Sequence, residues 1–365
     1  MKPLWLLIRR NPLLWMLVFV PVLFYAEHAA ADRPTLVFFL SVAAVIPLAV
    51  LLTEATESVA ARTGDLVGGL LNATLGNLTE LVIAITALRA GLADLVKASI
   101  AGAIVTNTLF VLGLSFLVGG LRHRLLEFNS TNAHLQCGLM FVASIALLIP
   151  SLLEGVTPAN GSGFMSQLSV GLAVILLCCY ALNLLFSLVT HREFFAARHA
   201  EKQSHEGLLP LPVAGLLLAV VTVLVALVSE VFVGSVQMAS ESMGMSPPFV
   251  GFIVVSLVGC AAEMAAAVSA ARRNHCDLTV GISLGASTQM SLFVAPALLL
   301  LSFGVGPEPM TLSFSGGQVV MVILSSITGL IVTSNGKAAW FSGVMLLAVY
   351  ALFGVTLYLL PQNPG

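Results

Sequence analysis

Two glutamates stand 183 residues apart in surroundings almost free of other charge: Glu80 in GNLTELVIAITALRAG (76–91) and Glu263 in GCAAEMAAAVSAARR (259–273). A pair of carboxylates brought together suits a hard divalent cation, because Ca2+ takes about six to eight oxygen ligands and two acids neutralise it. Left empty, the pair repels: at ~5 Å and an effective dielectric of ~20, Coulomb's law gives about 3 kcal/mol. Protons are then the natural replacement for the metal. Neutral oxygens lie nearby. Asn77 is one turn before Glu80 on the same helical face, and Asn107, Thr106, Thr288 and Gln289 stand at matching depths in the segments that follow each acid. Glu80, Glu263, Asn77, Asn107 and Gln289 therefore form the candidate metal set, with Glu80 and Glu263 also the candidate proton carriers. The two threonines read equally as interhelical hydrogen-bonding residues. The stripes Ala84/Ala87 and Ala267/Ala270 read as close-packing surfaces.

Elements that could carry such acids follow from composition. The chain is 58% hydrophobic and only 9% charged, with a mean hydropathy of +1.04, where soluble domains carry about 25% charged residues. Apolar runs of roughly 20 residues, the length that crosses the hydrocarbon core as a helix, recur eleven times, at 12–30, 35–62, 66–90, 94–119, 131–153, 164–190, 209–243, 247–272, 276–303, 313–333 and 337–360. Runs such as LMFVASIALLIPSLL lack the period-two alternation of a barrel strand. The expected fold is an all-α polytopic membrane protein with eleven transmembrane helices and the lipid bilayer as its surroundings. A charge at the centre of such a helix costs on the order of 3 kcal/mol, so it persists where it has a task or a partner. No basic residue falls mid-span to pair with Glu80 or Glu263.

Basic residues set the orientation, since Lys and Arg are retained on the cytoplasmic side. With the N-terminus inside, Lys2, Arg9, Arg10, Arg62, Arg122, Arg124, Arg192, Arg198, Lys202, Arg272, Arg273 and Lys337 fall inside, and only Arg33, Arg89 and Lys97 outside. This places the chain in a bacterial inner membrane, N-terminus cytoplasmic. The start of the chain also reads as a signal peptide cleaved near residue 30, and the other ten spans keep their orientation either way. Five cysteines, an odd number with two adjacent, imply no disulfide framework. The longest polar stretch, 190–210, is too short for a domain and reads as a cytoplasmic linker.

That linker separates two copies. Sliding the chain by 183 residues lays 76–113 on 259–296, and Gly76, Ala84, Ala87, Arg89, Asp94, Leu95, Gly102, Ala103, Leu109, Phe110 and Val111 meet identical residues together with Glu80. Upstream, ATES (55–58) matches ASES (239–242) after a one-residue gap, pairing Glu57 with Glu241. The expected organisation is an unpaired first helix (1–34), repeat 1 (35–190), a linker (191–208) and repeat 2 (209–365). Five spans per repeat is odd, so the copies enter the membrane from opposite sides. Inverted repeats place a substrate site near the bilayer midplane at the repeat interface, where Glu80 and Glu263 should meet. Glu57 and Glu241 are expected to serve proton or cation access, with a solvated position at the membrane edge as the alternative.

The segments LLNATLGNLTELVIAITAL, TNTLFVLGLSFL, VGCAAEMAAAVSAARRNHCDLTVGISLGASTQMSLFVAP and NGKAAWFSGVMLLAVYAL resemble the CAX Ca2+/H+ antiporters of the calcium/cation antiporter superfamily. The resemblance covers nearly all of the chain. It implies an unpaired first helix plus two inverted five-helix repeats, Ca2+ and H+ as transported substrates, no cofactor, and Glu80 and Glu263 as the essential acids. Cys260 and Met264 stand where the family motif Gly-Asn-Ala-Ala-Glu-His has Asn and His, Asn335 replaces an Asp, and the linker is not acidic. These departures bear on ion selectivity and regulation more than on the fold.

The functional expectation is a secondary antiporter exchanging Ca2+ for protons by alternating access at a two-glutamate site. The alternatives are an Na+-coupled exchanger, or one for Mn2+, Cd2+ or Zn2+, of the same superfamily. An enzyme is not expected: there is no His-Glu-x-x-His and no Gly-x-Ser-x-Gly. A channel needs no paired acids, and nothing points to a nucleic-acid partner.

Overall fold

The computed structural model describes residues 11–29, 33–63, 65–153, 162–191 and 209–360. The basic residues Lys2, Arg9 and Arg10, the proposed cleavage region at 30–32 and the linker 192–208 lie outside the described residues. The helices are α1 (Pro12–Ala29), α2 (Pro34–Ala60), α3 (Asp65–Leu75), α4 (Leu78–Arg89), α5 (Ala93–His123), α6 (Ser130–Leu153) and α7 (Gly163–Thr190). Past the linker come α8 (Leu211–Ser242), α9 (Val250–Gly259), α10 (Ala261–Arg272), α11 (Cys276–Val305), α12 (Gly316–Thr333) and α13 (Trp340–Leu359). Two three-residue strands, β1 (Leu125–Glu127) and β2 (Lys337–Ala339), pair antiparallel. Among the described residues nine helices are long and apolar enough to span a bilayer, and eleven spans result when the bent pairs α3/α4 and α9/α10 each count as one. The chain is an all-α integral membrane protein.

The bent pairs depart from the sequence reading, which takes 66–90 and 247–272 as continuous helices. The axis turns by 41° between α3 and α4 and by 59° between α9 and α10. A glycine opens each break, Gly76 before Asn77 and Gly259 before Cys260, and glycine is a poor interior helix former. At Gly259 the missing side chain has a second use: a Cβ there would lie 3.1 Å from Cγ of Glu80.

Helices α2 and α8 run antiparallel. Thr35 and Ser242 share a hydroxyl hydrogen bond of 2.8 Å at one end, Arg62 Nε donates to the Leu209 carbonyl at 3.0 Å at the other, and Phe38 stacks on Phe232 between them. At the two membrane faces the connections are held differently. On one, β1 and β2 align Glu127 with Lys337, whose side chains form a 2.9 Å ion pair, and His123 Nε2 lies 3.0 Å from the carbonyl of Arg272. On the other, serine hydroxyls hold the segment after α11: Met310, Leu312 and Phe314 donate their backbone N–H groups to Ser302, Ser169 and Ser151.

Candidate cation site

Each break sets its glutamate in the first turn of the following half-helix, where the exposed N–H groups favour negative charge. Asn77 is the N-cap of α4 and Cys260 the N-cap of α10, and each precedes its glutamate by three positions. Neither caps with its side chain. Each carboxylate interacts with its own backbone amide, and each leaves Oε2 without a hydrogen-bond partner. The two acids lie within electrostatic reach of one another in the interior. Oxygens left over in this way are what a cation coordinates.

The neutral candidates divide. Asn77 Nδ2 donates to Gln289 Oε1 at 2.6 Å, a tie between the start of α4 and α11. Asn107 is only 1% exposed, and neither atom of its amide has a hydrogen-bond partner. Thr106 shares hydrogen bonds with Ser256 and Tyr350, at 2.9 and 3.2 Å. Thr288 donates to the Leu284 carbonyl of its own helix and, at 3.4 Å, to that of Gln136 on α6. Both threonines hold helices together. The stripes Ala84/Ala87 and Ala267/Ala270 are buried.

Asn107 sits in a π-helical turn of α5 (Thr106–Val111), and α11 has one at the matching place (Met290–Val294). Such turns often mark functional sites. Beside them stand two aromatic brackets that the sequence reading missed. Tyr350 packs on Phe110 with ring centroids 5.0 Å apart, and Tyr180 stacks on Phe293 at 5.3 Å. Phe110 and Phe293 are a matched pair of the 183-residue register, but their tyrosines lie in α13 and α7, outside the aligned window, so no spacing announced them. Tyr180 donates to the Ala73 carbonyl at 2.7 Å.

A narrow cavity beside Glu80 is lined by Glu80, Ser99, Ser256, Gly259 and Met290 among others. A more open cleft lies between α4 and α8 and holds Thr86, Arg89, Glu230 and Gln237. Glu230, exposed on α8, was also missed, although a lone acid inside span 209–243 was a signal to follow. Glu57 and Glu241 do not join the central pair. Both are exposed near the C-terminal ends of α2 and α8, and because those helices are antiparallel they stand at opposite ends of the bundle. Glu57 has Glu54 as an electrostatic neighbour.

The profile of the sodium/calcium exchanger protein family matches the chain twice, over 33–189 and 213–359. The chain belongs to this family. It is 37% identical over 363 residues to the Ca2+/H+ antiporter of Aphanothece halophytica, covering 96% of both chains, and 36% identical over 319 residues to the Ca2+/H+ antiporter ChaA of Bacillus subtilis, covering 87% of this chain and 90% of that one. Among solved structures, native YfkE superposes with a TM-score of 0.82 at 32% identity, over 96% of this chain and all of the other.

Proposed function

We propose that this exchanger-family protein moves Ca2+ against protons by alternating access at a site centred on Glu80 and Glu263. The carrying observation is the paired break: two half-helices each begin at the centre of the bundle, each with a glutamate in its first turn and an unpartnered carboxylate oxygen. The N-terminal ends of α4 and α10 offset part of the cost of holding two charges away from water. Ca2+ bound between the acids removes their repulsion, and when it leaves, protons do so instead. The same two side chains thus cannot hold both cargoes fully, which is the condition for exchange. Asn77, Gln289 and Asn107 complete the oxygen set. The relatives' names, Ca2+/H+ antiporter, agree with this reading.

Two inverted repeats, 35–190 and 209–365, with 1–34 unpaired and 191–208 as a linker, supply the symmetry that lets one site face either side. The double match of the family profile supports that division. In the bacterial inner membrane the face carrying Arg122, Arg124, Arg272, Arg273 and Lys337 is cytoplasmic, by the retention of basic residues.

The family's name favours one further reading, in which Na+ replaces H+ as the driving ion. Uptake of radiolabelled Ca2+ into liposomes holding the purified protein separates the two. A pH gradient alone should drive uptake and a Na+ gradient alone should not. Uptake driven only by Na+ would overturn the proton assignment.

A further inference from the structure

Away from the glutamate pair, the cleft between α4 and α8 carries one charge of each sign. Thr86 and Arg89 line it from the last turns of α4, and Glu230 lines it from α8. Arg89 and Glu230 are both exposed, and the described residues hold no ion pair between them. Thr86 Oγ1 donates to the Val82 carbonyl at 2.9 Å, which leaves its lone pairs for an incoming donor. Gly234 belongs to the same wall as Glu230, and no described atom stands within 4 Å of where its Cβ would be, so there is room one turn from the carboxylate. The cleft also reaches Ala90 and Leu92, in the turn where α4 gives way to α5, and so it opens at a membrane face. Helix α8 has 32 residues, ~48 Å at 1.5 Å per residue, against a hydrocarbon core of about 30 Å. Glu230 stands ~18 Å before its C-terminal end by the same rise, where a helix of that length leaves the core. Both measures set the cleft at headgroup depth.

We propose that this cleft binds a phospholipid with a phosphoethanolamine headgroup, its phosphate on the Arg89 guanidinium and its ammonium on the Glu230 carboxylate and Thr86 Oγ1. A guanidinium holds phosphate through a fork of parallel hydrogen bonds. An ammonium has three N–H donors to give; a quaternary choline has none, and a phosphoglycerol headgroup brings no cation to Glu230. The occupant is a lipid because the face of α8 that carries Glu230 continues toward the core as the exposed side chains of Leu227 and Val223, along which acyl chains can lie. A metal ion fits less well, since Arg89 repels it from the one carboxylate that the cleft offers. This binding is separate from the cation site and does not depend on which ions the protein exchanges.

Native mass spectrometry of the purified full chain in detergent tests it, with phosphoethanolamine, phosphocholine and phosphoglycerol lipids of identical acyl chains. One phosphoethanolamine lipid per chain should be retained about tenfold better than either of the others, the worth of one hydrogen bond to a charged group. Arg89→Gln and Glu230→Gln should each erase that preference. Gly234→Leu, which fills the room and leaves both charges in place, should lower retention of the phosphoethanolamine lipid by a similar factor. Equal retention of the three headgroups, or a preference that survives both charge variants, overturns the proposal. Strongest retention of the phosphoglycerol lipid, lost in Arg89→Gln alone, would reveal a plain basic patch and overturns it as well. Soluble glycerophosphoethanolamine should displace the lipid only in large excess, and displacement at equal concentration would overturn the lipid as occupant. Retention requires no transport, so its failure leaves the exchange reading standing, and a failure of exchange leaves the retention result to judge the cleft.

Discussion

The two halves of the molecule share a register, yet they pack differently around the same glycine. Gly102 in α5 and its counterpart Gly285 in α11 are identical residues at matched positions. A Cβ at Gly102 would collide with the backbone of Phe252, because α9 lies directly against α5. At Gly285, and one turn earlier at Gly281, no neighbour among the described residues stands within 4 Å of where a Cβ would be. The element that would fill this space, α3, leans elsewhere: Gly69 meets Leu188 and the Ala73 carbonyl is bound by Tyr180, both on α7. At the matched glycines α9 is packed against α5, whereas α3 is not packed against α11. The side chains differ too: at matched positions of the half-helices Val82, Ile83 and Leu88 of α4 correspond to Ala265, Ala266 and Ala271 of α10.

At the acids the halves should be equal, and here the largest effect is expected. Glu80→Gln and Glu263→Gln each remove one charge while keeping shape. The lost attraction of about 3 kcal/mol corresponds to a fall in Ca2+ exchange of about 100-fold. Liposome uptake measures the loss, and an unchanged elution profile in detergent verifies the fold. Normal uptake by either variant would remove that glutamate from the site.

The glycine contrast sharpens next. Gly102→Ala must push apart two backbones, a close-packing conflict worth about 1–3 kcal/mol, and it should lower the unfolding temperature of the purified protein. Gly285→Ala should leave that temperature nearly unchanged. If α3 closes over α11 during transport as α9 now closes over α5, Gly285→Ala will nonetheless slow exchange. A Gly285→Ala variant that transports normally would mean that the open crevice never closes.

How much of this the sequence carried depends on the length scale of each signal. Eleven apolar runs announced the spans, because the bilayer imposes one length on all of them. The twelve identities between 76–113 and 259–296 paired Glu80 with Glu263, as they pair Gly102 with Gly285. The breaks were not legible, since a bent span has the same composition as a straight one and Gly76 and Gly259 also suit a close helix contact. Nor were the brackets, for Tyr180 and Tyr350 reach Phe293 and Phe110 from helices outside the aligned segment. The binding of Asn77 to Gln289 and the burial of Asn107 depend on side-chain directions that spacing along a single helix does not supply.

The tyrosine brackets give a smaller contrast. Tyr180→Phe leaves the Ala73 carbonyl without its donor at the end of α3 and should cost about 1 kcal/mol of stability, the usual worth of one such hydrogen bond. Tyr350→Phe removes the longer contact to Thr106, while Thr106 and Ser256 keep each other, so its cost should be less. Thermal unfolding in detergent ranks the two. The reverse order would show that the hydroxyl group of α13 matters more to the bundle than the tether of α3.

The smallest effect separates the two ends of the bundle. Glu57 stands near the end of α2 where Arg62 meets Leu209, and Glu241 near the end of α8 where Ser242 meets Thr35. A 27-residue helix at 1.5 Å per residue keeps those ends ~40 Å apart, several Debye lengths at physiological salt, so neither charge acts on the other's mouth. An exposed carboxylate in water attracts a cation by about 1 kcal/mol or less, enough to change the local cation concentration by roughly threefold to fivefold. Glu57→Gln should therefore raise the apparent KM for Ca2+ presented on the Arg62 side and leave the other side alone, and Glu241→Gln should do the mirror image. Glu57 has Glu54 beside it, so the Glu57 effect should be partly masked and Glu54→Gln with Glu57→Gln needed for the full shift. Proteoliposomes sorted by orientation, or with one population blocked from outside, measure each side in turn, and the pH profile should move on the same side only. Equal changes on both sides would place these acids in the shared path. No change on either side would assign them to the solvated edge of the membrane, where an acid needs no task to persist.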